Sequence, residues 1–255
     1  MQAADVRREF AAAVRARQER LGTFVKLRDP AVIEILAAAG LDFVILDGEH
    51  APFGRESIEL AMLAARAARL PALVRVPEGS KTWVATALDC GAAGIMVPHV
   101  SDVETAERLA RLMRFDTGGR GANTATRAAG YGSRDVATHL AAARDETLLI
   151  CQIEDRAGAA SAADIAAVDG VDALFLGPVD LSVSLGAAGP NDPAVQATCA
   201  EVLRIAEVQG VAGGLYLGAP QGLAAARAAG VTLPVIGSDH GFLASAARAA
   251  RAPVG

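Results

Sequence analysis

Short apolar runs alternate along the chain with alanine-rich stretches. The runs are nearly continuous in apolar residues, which is typical of parallel strands covered on both faces. The pattern predicts eight strands: Thr23–Leu27, Phe43–Asp47, Ala72–Val76, Gly94–Pro98, Leu148–Glu154, Ala173–Gly177, Gly213–Leu217 and Pro234–Ser238.

The stretches between the runs carry helix signals. Asp29 followed by Pro30 is typical of a helix start, and Gly40 of a helix end. Ser101 with Glu104 fits a capping box. Residues 3–19 predict an additional helix before the first strand.

Eight strand–helix units in one chain predict an α/β fold, a (β/α)8 TIM barrel with an extra N-terminal helix. A doubly wound sheet is the main competitor, but it usually has a glycine-rich loop after its first strand, and none follows here. No linker divides the chain, so residues 1–255 are expected to form one barrel domain. The glycine-rich segment 115–132 is expected on the active face, after strand 4.

Composition narrows the function classes. The 255 residues include 24 basic and 29 acidic side chains, a net charge of −5, which argues against nucleic-acid or membrane binding. The longest uncharged run, 208–226, is too rich in glycine for a membrane span. Three unpaired cysteines fit buried apolar positions in a cytoplasmic protein.

Polar residues gather where the predicted strands end, the position of TIM-barrel active sites. They comprise Asp47, Glu49, His50, Arg75, Gln152, Glu154, Asp180, Asp239 and His240. Several of them have an ordinary structural alternative: a helix N-cap for Asp180, a rim ion pair for Arg75, a loop position for His50, and the start of the last helix for Asp239 and His240. Their coincidence at one rim favours a catalytic site.

Strand alternation places Gln152 and Glu154 on one side of strand 5. Because strands 5 and 6 should be about 5 Å apart, Glu154 and Asp180 are expected to share one divalent cation. Two carboxylates with water in the remaining positions suit Mg²⁺ or Mn²⁺ better than structural zinc.

The strand-end motifs resemble those of the HpcH/HpaI aldolase family, the metal-dependent class II pyruvate aldolases. The matching pieces are EILAAAGLDFVILDGEHAPF, LVRVP, ALDCGAAGIMVPHV, CQIEDRAG and GVDALFLGPVDLSVSLG. They span roughly residues 22–186 in family order. The resemblance implies cleavage of 4-hydroxy-2-oxo acids to pyruvate and an aldehyde, and the reverse addition, through a metal-bound pyruvate enolate.

The resemblance also implies roles for individual residues. Glu154 and Asp180 match the two ligands of a divalent metal, Mg²⁺, Mn²⁺ or Co²⁺. Gln152 matches a residue beside the metal and the oxo acid. Arg75 matches the arginine that holds the keto oxygen and its enolate.

Two further sets complete the implied site. His50 and Asp47 match a histidine–aspartate pair for proton transfer at the aldol oxygen. Gly177, Pro178 and Val179 match a loop whose backbone amides bind the substrate carboxylate. Val179 departs from the family, which usually has alanine there.

The resemblance implies a homohexamer, with Asp89 at an acidic position that orients the site. Lys26 and Arg28 depart from the family's small first-strand residues and either recognise an anionic substrate group or face solvent. Arg120 and Arg127 bind an anion, contact a neighbouring subunit or stay solvated. The alternative functions are an acyl-CoA lyase of the citrate-lyase-β type, an oxaloacetate-type decarboxylase and a catalytically silent oxo-acid-binding barrel.

Overall fold

A computed structural model describes residues 3–251, with side chains from residue 6 onward. Eight parallel strands close a barrel in sequence order, with β8 paired to β1. The strands β1 to β8 are Gly22–Val25, Phe43–Asp47, Ala72–Arg75, Gly94–Val97, Leu148–Ile153, Ala173–Leu176, Ala212–Leu217 and Leu233–Ser238. All eight predicted strands are found, and the predicted barrel is confirmed.

Helices surround the barrel. In chain order, α1 to α12 are Ala3–Arg15, Ala31–Ala38, Arg55–Ala68, Lys81–Asp89, Val103–Leu112, Val136–Glu146, Arg156–Ala160, Ala162–Ala166, Pro178–Leu185, Pro193–Gln209, Leu223–Ala228 and Asp239–Arg251, with a 3-10 turn at Pro220–Gly222. The predicted N-terminal helix is present but ends at Arg15 rather than Glu19, since Arg17 adopts a positive φ of 55°. No helix within residues 3–251 is long and apolar enough to cross a membrane.

Helix α1 closes the end of the barrel where the strands begin. Phe10, Ala11 and Val14 of α1 belong to the same buried cluster as the inward-facing side chains of the strands. The ring of Phe10 lies 5.2 Å from that of Phe43, at the first position of β2. Because apolar side chains fill the inside of the barrel at this end, polar side chains can gather inside the barrel only at the opposite end.

The three cysteines lie in the apolar interior. Cys90, Cys151 and Cys199 are buried and form no disulfide. Burial raises the pKa of Cys90 and of Cys151 to about 12 and that of Cys199 to about 11. They therefore behave as small apolar residues, as predicted.

The glycine-rich segment 115–132 lies at the end of the barrel where the strands begin, whereas we expected it at the end where the strands finish. It follows α5, and a helix returns the chain to the end of the barrel where strands begin. There the amide of Ala128 donates to the carbonyl of Asp89 at the end of α4 (3.2 Å), and the carbonyl of Ala128 accepts from Arg7 of α1 (3.3 Å). The prediction of an active-face loop was wrong because it counted from strand 4 and ignored the intervening helix.

The predicted capping box at Ser101 is also wrong. Asp102 caps α5, accepting from the amide of Thr105 at 2.7 Å. The hydroxyl of Ser101 instead donates to Asp155, the N-cap residue of α7.

Candidate active site

The polar rim follows from side-chain alternation in the strands. Asp47, Arg75 and Gln152 each come two residues after an inward-facing apolar residue of the same strand. Residues two apart point to the same face of a strand, so these three side chains point into the open mouth of the barrel. Asp47 and Arg75 are also direct register partners in β2 and β3.

Arg75 is held from two sides by carboxylates. Its Nε and Nη2 donate to Oδ1 of Asp47 at 3.0 and 2.8 Å, and its Nη1 lies 3.1 Å from Oε2 of Glu49. The guanidinium also lies 4.6 Å from the centroid of the Phe24 ring. These contacts fix a buried positive charge at the mouth of the barrel.

Asp47 contacts the backbone of His50, and it also pairs with Lys26. Its Oδ1 accepts from the backbone amide of His50 (3.1 Å), and its Oδ2 lies 3.0 Å from Nζ of Lys26. Burial raises its pKa, but the charge of Arg75, the His50 amide and Lys26 together hold that pKa below the ordinary value. Asp47 therefore orients Arg75 and the His50 backbone, rather than the His50 ring.

The imidazole of His50 lies at the exposed edge of the rim, with 57% of its side chain accessible. Its Nε2 is 3.7 Å from Oε2 of Glu49. The other oxygen of Glu49 is 3.5 Å from Nε2 of His99. Glu49 thus stands between both histidines and Arg75.

His99 connects this group to Glu154. It follows β4 in a left-handed conformation (φ 54°), which is uncommon for a residue other than glycine. Both its backbone amide (2.8 Å) and its Nδ1 (3.0 Å) approach Oε1 of Glu154.

Glu154 is buried and electrostatically crowded. Burial raises its pKa, the hydrogen bond and charge of His99 lower it, and the charges of Asp180 and Glu49 raise it further, so that the net shift is upward. Its Oε2 accepts from the Gln152 amide. An upward shift with neighbouring carboxylates marks a position where a cation would be favourable.

The segment from Gly177 to Asp180 opens α9 against this carboxylate. A Cβ added to Gly177 would lie 2.9 Å from Oε2 of Glu154, so glycine allows the close approach. Pro178 is the first helical residue and has no N–H, and the Gly177 amide points at the Ile153 carbonyl (3.4 Å). Of the three predicted amides, that of Val179, in the first turn of the helix, suits an anion best.

The residues present fit a divalent cation. Between residues 3 and 251, no group of three or more His, Cys, Asp or Glu side chains is arranged as a metal site. Mg²⁺, however, often takes only one or two carboxylates and keeps water. Glu154 and Asp180 supply two carboxylates, and Oε1 of Gln152 is buried without a partner in the described part of the chain.

The remaining basic and acidic candidates lie elsewhere. Arg28 is exposed after β1. Arg120 is buried at the opposite end of the barrel, 3.5 Å from Asp89 and 3.8 Å from the Phe115 ring centroid. Burial raises the pKa of Asp89 and lowers that of Arg120 to about 10. Arg127 pairs with Glu59.

Sequence reasoning gave no role to Glu49 or His99. Glu49 lies within the motif LDGEH, and His99 directly follows Pro98 at the end of a predicted strand. Their positions at strand ends could have identified both residues as candidates for the site. Their link to Arg75 and Glu154 depends on contacts between different strands.

A closed parallel barrel with ionic groups at the carboxyl ends of its strands defines an enzyme of the TIM-barrel class. Residues 20–246 match the family described as HpcH/HpaI aldolase/citrate lyase. The chain belongs to this family, which confirms the predicted resemblance.

Individual relatives share most of the chain. A hydroxypyruvate/pyruvate aldolase from Roseovarius nubinhibens is 34% identical, with 89% of each chain covered. A 5-keto-4-deoxy-D-glucarate aldolase from Escherichia coli O157:H7 is 33% identical over 93% of each. The crystal structure of an HpcH/HpaI aldolase/citrate lyase family protein from Burkholderia cenocepacia is 33% identical, with a TM-score of 0.90 over 95% of this chain and 97% of that one.

Proposed function

We propose that the protein is a metal-dependent aldolase that cleaves 4-hydroxy-2-oxo acids to pyruvate and an aldehyde, and catalyses the reverse addition. The enzyme is a carbon–carbon lyase, in keeping with aldolases 33–34% identical over most of the chain. The observation that carries the reaction type is Arg75, a buried cation fixed by Asp47 and Glu49. Glu49 in turn contacts His99, which contacts the carboxylate of Glu154.

Cleavage breaks the bond between C3 and C4 and leaves its electron pair on the pyruvate fragment as an enolate. The guanidinium of Arg75 is already in place and stabilises that negative charge without reorganising. A divalent cation held by Glu154 and Asp180 would supply Lewis-acid stabilisation to the same fragment. Asp47, with its lowered pKa, stays ionised and keeps Arg75 in position.

The proton of the C4 hydroxyl must leave as the aldehyde forms. The exposed His50 ring is the acceptor in this proposal, because it lies at the rim beside Glu49 with its backbone anchored to Asp47. The amide of Val179 and the amide side chain of Gln152 orient the carboxylate end of the substrate.

The test is exchange of the pyruvate C3 protons into D₂O, followed by NMR. Exchange that stops with chelator and returns with Mg²⁺, Mn²⁺ or Co²⁺ is expected, and Glu154→Gln should lose it while keeping the fold. If Glu154→Gln exchanged the pyruvate protons at the wild-type rate and with the same dependence on metal, the metal assignment would be overturned. If no metal restored exchange, the protein would instead be an acyl-CoA lyase or a silent barrel. Turnover of coenzyme A thioesters would then distinguish these two alternatives.

Three further proposals concern the whole molecule. The sequence pattern underlies one domain over residues 1–255 and a cytoplasmic location, and the family resemblance underlies a homohexamer. Residues 1, 2 and 252–255 lie outside the described structure. Sedimentation equilibrium tests the hexamer directly.

A further inference from the structure

A cavity of about 640 Å³ opens at the end of the barrel opposite the active site. Its floor includes Ala72, the first residue of β3, and its walls come from the end of α3, from α1 and from the segment 127–134. The volume is within the range of small-molecule sites, which is about 300–1,000 Å³.

Five guanidinium groups line this cavity: Arg7, Arg66, Arg69, Arg127 and Arg134. No acidic side chain of the described residues lines it. The concentration of positive charge is notable in a chain whose net charge is −5. Arginine presents a planar fork of donors that matches phosphate and carboxylate oxygens.

Nearby carboxylates leave this charge only partly balanced. Glu146 is shared by Arg7 (2.7 Å) and Arg134 (2.9 Å), and also by Arg8 (3.4 Å). Arg127 pairs with Glu59, but its Nε is buried without an acceptor in residues 3–251.

The guanidinium groups are also close enough to repel one another. Burial lowers the pKa of Arg7, Glu146 raises it, and the charges of Arg134 and Arg66 lower it. Arg66 and Arg69 are exposed at the end of α3, and Arg69 is held in a left-handed conformation (φ 55°). A ligand with two or more negative charges would relieve this repulsion.

We propose that this cavity binds a small oxyanion carrying at least two negative charges, a phosphate-bearing or polycarboxylate metabolite. The half-buried guanidinium groups of Arg7, Arg127 and Arg134 form the inner wall, and the exposed Arg66 and Arg69 complete the rim. The site is separate from the aldolase site and does not depend on the proposed reaction.

The test is calorimetric titration of metal-free protein with pyrophosphate and with inorganic phosphate, at constant ionic strength set by NaCl. Saturable binding to wild type is expected. The double variant Arg66→Gln/Arg69→Gln should weaken it by about tenfold or more, because two charge-assisted contacts are removed. Arg111→Gln, an exposed arginine on α5 outside the cavity, is the matched control and should bind like wild type.

Both substitutions in the double variant are at exposed positions, so the fold is expected to survive, and thermal unfolding verifies this. Pyruvate proton exchange by the double variant, unchanged from wild type, would show that the active site is intact. Absence of saturable binding, or equal affinity in all three proteins, would overturn the proposal. Dissociation of the oligomer in the double variant would also overturn it, since the cavity would then be a subunit interface.

Discussion

His99 approaches a single oxygen of Glu154 with two groups, its backbone amide at 2.8 Å and its Nδ1 at 3.0 Å. His99 thus holds one oxygen of the buried carboxylate that we assign to the metal, while the side-chain amide of Gln152 donates to the other. The left-handed backbone at His99 makes both contacts possible from one position.

Replacing His99 with asparagine tests this positioning role, because asparagine tolerates the left-handed conformation. The variant keeps the contact between the backbone amide of residue 99 and Glu154, and it loses the contact made by the imidazole. We expect the metal concentration for half-maximal proton exchange to rise about 10-fold, with a near wild-type rate at saturating metal. A lower rate at saturation with unchanged metal affinity would contradict a positioning role.

His50→Ala separates the two halves of the reaction. We expect aldol cleavage to slow by about 10²-fold, because the acceptor of the C4 hydroxyl proton is removed. Pyruvate C3 exchange should change less, since it involves no C4 hydroxyl. Equal losses in the two assays would reject the assignment of His50 to the aldol oxygen.

Arg75→Lys keeps the positive charge and removes the planar fork that holds Asp47 and Glu49. We expect pyruvate proton exchange to slow by about 10²-fold or more, as for loss of an oriented donor to an oxyanion. Arg108→Lys, at an exposed position on α5, is the matched control. Exchange at the wild-type rate in Arg75→Lys would mean that the fork geometry has no part in enolate formation.

Gly177→Ala tests the close approach of α9 to the metal carboxylate. The φ of Gly177 is −104°, so alanine meets no backbone strain, but its methyl group would lie 2.9 Å from Glu154 Oε2 and 3.1 Å from Gln152 Nε2. We expect metal affinity to fall by about 10-fold or more. Gly54→Ala is the control, at another helix N-cap with open space around the added carbon. Similar metal affinity in both variants would contradict the steric argument.

The cysteines give a prediction from their raised pKa values. At pH 8 almost no thiolate forms in a group whose pKa is about 11 or 12, and all three thiols are buried. The folded protein should leave Ellman's reagent unreacted, and the urea-unfolded protein should release three equivalents. Rapid labelling of the folded protein would show that one of these segments opens.

The sequence by itself determined the barrel, because its eight apolar runs are local patterns that recur at a spacing only a barrel or a doubly wound sheet accommodates. It also predicted four polar residues at strand ends: Asp47, Arg75, Gln152 and Glu154. Because side chains alternate between the two faces of a strand, such residues can point together into the open end of the barrel. These features depend on neighbours along the chain, so they can be read without coordinates.

Only the tertiary structure decided which charged groups meet. Asp47 pairs with Arg75 and Lys26 rather than with the His50 ring, and His99 reaches Glu154 across 55 residues of sequence. The arginine cavity likewise joins segments that are remote in sequence. Such pairings depend on the reach and rotamers of side chains from different strands and helices, which no local periodicity encodes.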